Sequence, residues 1–177
     1  MKYLPVLFTL LVAMAACSRK SAPAAGAGDV PDTDNLATES EEYTPPVSPP
    51  RYLVAAYEKT ACFGRCPVFQ VRFYNDGLVT WNGRMNVERM GMYEARVDEA
   101  VLRRIKDKAK ALRYFDLAPK YPERAEVADL PSTITYVRIG DMEKQVVNTY
   151  EAPENLLAFE QFLAELIEQL EWKPQDR

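Results

Sequence analysis

The chain has 177 residues, 47% hydrophobic and 27% charged, an ordinary globular composition that leaves room for one core once a leader and a tail are set aside. A net charge of −4, or −5 once Lys2 leaves with the leader (21 basic against 26 acidic residues), and basic residues that are scattered rather than striped argue against a nucleic-acid partner. There is no histidine, which excludes Ser-His-Asp and Cys-His nucleophiles, His-ligated zinc and haem, and the usual proton shuttle near neutral pH.

The N-terminus opens with Lys2, runs through an apolar stretch over residues 3–16 and exits on small residues, the layout of a secretory signal. That stretch falls short of the roughly 20 residues a helix needs to span a bilayer. Met14-Ala15-Ala16-Cys17 resembles the bacterial lipobox, with Met14 where Leu is usual. The resemblance implies a cleaved leader over residues 1–16 and a Cys17 carrying a thioether-linked diacylglyceryl group and an amide-linked acyl chain. Several chains together hold a protein essentially permanently, since each buried methylene contributes about 0.8 kcal/mol. Ser18 follows where an inner-membrane retention signal has Asp, so delivery to the outer membrane is expected.

Residues 18–50 hold six prolines (Pro23, Pro31, Pro45, Pro46, Pro49, Pro50), an Ala/Gly stretch and several acids, with few large apolar side chains to offset the entropy of ordering. The expectation for residues 17–50 is a lipidated cysteine followed by a disordered tether. Its 33 residues after Cys17 reach on the order of 100 Å when fully stretched.

Residues 51–173 read as one domain. Residues 53–58 form a first strand, and 68–74 a second in which Val71 and Phe73 alternate with Gln70 and Arg72. Asn75-Asp76-Gly77 supplies a tight turn, residues 78–81 return, and 87–97 add a strand interrupted near Gly91. Asp98 caps a helix reaching about Tyr114, with a stripe of Val101, Ile105, Ala109 and Leu112. Pro119, Pro122 and Pro131 mark a loop, and residues 132–139 and 142–150 make a second hairpin around Gly140-Asp141. A last helix starts at Pro153, repeats Leu156, Phe159, Leu163, Leu166, Ile167 and Leu170, and stops at Pro174. The expected fold class is α+β: a mainly antiparallel sheet of about six strands with two amphipathic helices packed on one face.

The run from Tyr57 through Thr60-Ala61-Cys62-Phe63-Gly64-Arg65-Cys66-Pro67, then Asn75-Asp76-Gly77, is similar to a family of uncharacterised domains in exported bacterial proteins, catalogued only as a domain of unknown function. Its pattern is Thr-x-Cys-Phe-Gly-x-Cys-Pro, an Asp-Gly hairpin and a later Asp-x-Pro-x-Thr, met here by Asp129, Pro131 and Thr133. The resemblance covers roughly residues 52–172. It implies a domain boundary and an exported setting, and carries over no catalytic residue.

With Cys17 acylated, Cys62 and Cys66 remain as an even pair in an oxidising compartment. Gly64 permits a sharp turn and Pro67 keeps Cys66 extended, so a structural disulfide is expected, contributing about 2 kcal/mol. A thiol-exchange centre with Arg65 as the adjacent cation, and a metal site, are the alternatives. Asp129, Ser132 and Thr133 offer a polar site or, more simply, a turn into the next strand. Glu58, Asp76 and Asp129 offer carboxylates whose pairing the sequence leaves open. Tyr57, Tyr74, Trp81, Tyr93 and Tyr136 read as a ligand face or as core and cross-strand partners. The functional expectation is a lipid-anchored envelope protein acting as a non-enzymatic binding or structural module, without cofactor or metal. Its partners would be membrane lipid through Cys17 and an envelope protein or peptidoglycan. Thiol-disulfide exchange through Cys62 and Cys66 is the alternative.

Overall fold

A computed structural model describes residues 49–124 and 129–175. The leader of residues 1–16, Cys17 and the tether up to residue 48 lie outside the described residues. The strands are β1 (Leu53–Lys59), β2 (Val68–Tyr74), β3 (Leu78–Met85), β4 (Gly91–Arg96), β5 (Lys120–Tyr121), β6 (Thr133–Ile139), β7 (Met142–Asn148) and β8 (Lys173–Pro174); the helices are α1 (Glu99–Ala111) and α2 (Glu154–Glu168). They form a single sheet in the order β5-β7-β6-β1-β2-β3-β4-β8. Every pairing is antiparallel except β5 with β7.

The α+β class and the mostly antiparallel sheet match the sequence reading, but the sheet has eight strands rather than about six. The two extra strands are two residues each and have no alternation to betray them. β5 lies in the proline-flanked segment, where the Val147 and Thr149 amides donate to the Pro119 and Tyr121 carbonyls. β8 includes Pro174, which lacks an N–H and pairs at the sheet edge opposite Tyr93, where a proline is tolerated.

One face of the sheet is covered. Ala55, Tyr57, Val71, Phe73, Val79, Trp81, Val137 and Val146 point into a core with α1 and α2, which also touch each other. On α1 the buried residues are Leu102, Ile105 and Ala109; Val101 and Leu112, placed in the stripe by spacing, are half-buried at its margin. Asp98 caps α1 by accepting from the Val101 amide at 2.9 Å. The chain leaves α1 through Arg113 at a positive φ and a short 3₁₀ turn, Tyr114–Asp116, that drops Tyr114 fully into the core. α2 buries Leu156, Phe159, Leu163, Leu166 and Ile167 as the periodicity requires, and ends at Glu168. It is shorter than the apolar pattern, because Trp172 folds back to donate its indole N–H to the Ile167 carbonyl at 3.2 Å while the following residues join the sheet.

Gly83 in β3 makes room for a close approach. Residues 86–90 fold back over it, so that the Arg89 carbonyl accepts from Trp81 Nε1 at 2.8 Å. A Cβ at position 83 would run into that carbonyl oxygen and come within 2.7 Å of Trp81 Nε1. Gly83→Ala is therefore expected to destabilise the fold by about 2 kcal/mol, read by denaturant unfolding, with Trp81 emission shifted as the indole loses its acceptor. Unchanged stability would show that the loop yields freely.

Candidate functional site

β1, β6 and β7 lie side by side in one register, with Lys59 opposite Thr133 and Thr133 opposite Asn148. All three stand at one end of the sheet on its covered face, because they continue the inward alternation of Tyr57, Thr135 and Val146. α2 closes over them with Glu160. Lys59 Nζ donates to Thr133 Oγ1 at 2.6 Å, and Asn148 Nδ2 donates to both Glu160 carboxylate oxygens at 2.9 and 3.0 Å. This polar row sits beside the core, where Tyr114 shares a hydrogen bond with Thr135 at 2.8 Å.

Burial sets the electrostatics. Glu160 is 8% exposed, and desolvation lifts its carboxyl above the usual range, against the opposing effects of the Asn148 hydrogen bond and the Lys59 charge. Desolvation likewise lowers Lys59, with the Glu160 charge acting the other way. Tyr57 is driven upward by burial and then by the negative charges of Glu160 and Glu168, so its phenol is a donor at any physiological pH.

The same end of the sheet carries the cysteine loop. Cys62 and Cys66 sit at disulfide distance, with Cα atoms 5.7 Å apart, and both are half-buried. The loop is held from two sides. Asn86 Nδ2 donates to the Cys66 carbonyl at 3.0 Å, and the Phe63 amide donates to the Asp129 carbonyl. Thr60 latches onto the segment before β6: its amide donates to the Ser132 carbonyl, and its hydroxyl accepts from the Ser132 amide at 2.8 Å. Thr60 and Ser132 stand 72 positions apart in the chain, so the fold joins the two stretches singled out above. Phe63, at the loop tip, is 95% exposed, and Leu130 beside Asp129 is 43% exposed.

Along the inner face from Lys59, a pocket of about 320 Å³ opens between β1, β2, β3 and the end of α2, lined by Tyr57, Phe69, Trp81, Arg89, Ile167 and Glu168 among others. Phe69 and Trp81 stack at 4.4 Å between ring centroids, and Trp172 packs on Trp81 at 5.7 Å.

The sequence candidates fall into different places. Glu58 faces the opposite side of the sheet and pairs with Gln70 and Arg84, whereas Asp76 holds Arg51 in the turn between β2 and β3. Asp129 sits near the cysteine loop at a positive φ, so the three carboxylates do not converge. Ser132 and Thr133 use their hydroxyls across strands, toward Thr149 and Lys59, rather than to close a local turn. Tyr57 and Trp81 are core, Tyr93 packs at its edge, and Tyr136 bonds Glu143 on the uncovered face. Sequence reasoning passed over Lys59, Asn148 and Glu160. Their signal was a polar residue interrupting an apolar pattern: Glu160 lies four after Leu156 and three before Leu163, and Asn148 two after Val146.

Because the folded pKa of Glu160 lies above the unfolded value of about 4.3, the folded protein keeps a proton that the unfolded chain releases as pH rises between them. Stability is then lost on raising the pH through that window. Thermal unfolding from about pH 4 to pH 7 should show a downward trend that Glu160→Gln flattens. Identical trends in the two proteins would remove Glu160 as its source.

No curated protein matches the chain. Residues 54–167, well over half of it and including every residue of the polar row, the loop and the lining of the pocket as far as Ile167, match a family described as a domain of unknown function, DUF6438. The chain belongs to that family.

Proposed function

We propose that the chain is a lipid-anchored protein of the bacterial cell envelope, held through acylated Cys17 at the outer membrane, whose domain is a non-enzymatic module that docks an envelope protein through the cysteine loop. What carries the reading is Phe63, 95% exposed at the tip of a loop fastened at Cys66 and Phe63. Burying such a side chain in a partner gains about 2–3 kcal/mol, and a loop already held in place loses little entropy on docking. Leu130, beside it, extends the apolar contact. The tether supplies reach, and the small-residue approach to Cys17 supports the anchor.

A photo-crosslinking side chain at position 63, used in intact cells with the full chain, should capture a discrete envelope protein, and Phe63→Ser should weaken that association about 30-fold, or ~2 kcal/mol, without lowering the unfolding midpoint. Equal association by Phe63→Ser would end the docking proposal. For the anchor, labelled palmitate should enter the wild-type chain and not Cys17→Ser, which should fractionate with soluble proteins. An unlabelled wild-type chain would remove the anchor.

Thiol-disulfide exchange through Cys62 and Cys66 is the second reading, favoured by Arg65 alongside them. Half-burial of both sulfur-bearing residues and the absence of a helix start at the loop weigh against it. A reduction potential below about −300 mV is expected for a structural pair, and a value near −200 mV would favour exchange.

A further inference from the structure

We infer that the pocket between the covered face of β1–β3 and the end of α2 is a binding site for a small amphipathic organic anion, an apolar ring bearing a carboxylate. The site is separate from the Phe63 contact and does not rest on it.

The first observation is a donor that no protein group takes up. Tyr57 is 3% exposed, lines the pocket, and its hydroxyl meets no hydrogen-bond partner among the described residues. Tyr114, equally buried in the same core, has its hydroxyl satisfied by Thr135 at 2.8 Å. No buried side-chain polar atom lacks a partner among the described residues, so this hydroxyl is open to solvent, and a ligand acceptor in the pocket would take the place of water on it.

The second is the balance of donors and charges. Lys59 Nζ has three donors, and Thr133 takes one. Arg89 contributes a guanidinium whose side chain is bound to nothing else among the described residues. Against these two cations and the Tyr57 hydroxyl, the lining offers one carboxylate, Glu168, which is exposed. Glu160 lies outside the lining, buried and hydrogen-bonded to Asn148. A ligand that presents acceptors and negative charge fits this surplus.

The third is shape. The remaining lining is Phe69, Trp81, Ala164 and Ile167, an apolar slot, and a volume of about 320 Å³ is at the small end of ligand sites. One ring with a short acidic substituent fills it, its ring against Phe69 and Ile167 and its acid toward Lys59 and Tyr57.

Of the chain's two tryptophans, Trp81 lines this pocket and Trp172 packs on Trp81 at 5.7 Å, which makes intrinsic fluorescence a local reporter. The probe is 4-iodobenzoate, whose heavy atom quenches indole emission, and its uncharged match is 4-iodobenzamide. The protein is the full chain carrying Cys17→Ser, which removes acyl chains that would absorb the probe. Quenching by the benzoate should saturate, the amide should bind about tenfold more weakly, and Tyr57→Phe, which deletes only that hydroxyl, should weaken the benzoate about tenfold. Lys59→Met should do at least as much, while Phe63→Ser should bind as the parent does. Linear, unsaturable quenching, equal affinity for benzoate and benzamide, or a Tyr57→Phe protein that binds unchanged would each overturn the assignment. Loss of binding in Phe63→Ser would move the probe to the loop and overturn it as well.

Discussion

β1 pairs with β2 on one side and with β6 on the other, and this double pairing is what joins the meander of β1–β4 to the hairpin of β6 and β7. One register therefore decides which of its side chains face α2. In the observed register Ala55, Tyr57 and Lys59 point inward, and Ala56 and Glu58 point outward. A slip of one residue would exchange the two sets, placing Glu58 in the core and sending Tyr57 and Lys59 to solvent. The polar row and the pocket both depend on that alternation, and so does the direction in which the chain enters the cysteine loop. The Thr60 latch onto Ser132 fixes the register at the end where an error would matter most.

Placing Lys59 and Glu160 beside a core has an electrostatic consequence that runs through the site. Each loses hydration, and no carboxylate lies close enough to Lys59 to form an ion pair among the described residues. The row is instead satisfied by neutral partners, Thr133 for the ammonium and Asn148 for the carboxyl. Breaking a closely paired buried ion is costly because it strands the other charge, whereas hydroxyl and amide partners leave each group able to change its protonation or its contacts separately. Such an arrangement leaves donor capacity on Lys59 facing the pocket, which a tight ion pair would have consumed.

What was legible in the sequence follows from what repeats. Alternation gave β2, β-branched and aromatic runs about Gly140-Asp141 gave β6 and β7, the Asn75-Asp76-Gly77 turn gave the first hairpin, and stripes at three and four gave both helices. β5 and β8 were invisible because two residues carry no period and their pairing comes from distant partners, Val147 and Tyr93. The end of α2 was overrun for a related reason: Leu170 keeps helical spacing, four after Leu166, yet it and Trp172 reach the core from beyond the helix end. Of the site, the cysteine pair was legible from count and spacing. Its neighbours Lys59, Asn148 and Glu160 were passed over: Asn148 and Glu160 interrupt apolar patterns, but all three become internal only when β1, β6, β7 and α2 assemble.

The residues that matter most stand on regular elements rather than on long loops. Tyr57 and Lys59 are on a central strand, Trp81 on a strand two places away, and Glu160 and Ile167 on a helix docked over both. Side chains set this way are held by packing at their own positions, so the pocket does not need a ligand to give it shape. The cysteine loop is the counterpart: it projects Phe63 into solvent, yet Asn86, Asp129 and the neighbouring Thr60 latch restrain it at several points. Five consecutive residues after Ala56 thus begin in the core and end at the loop, with Tyr57 and Lys59 turned toward the pocket and Thr60 toward the latch. A strand held in the sheet that feeds a restrained loop keeps both surfaces in a fixed relation.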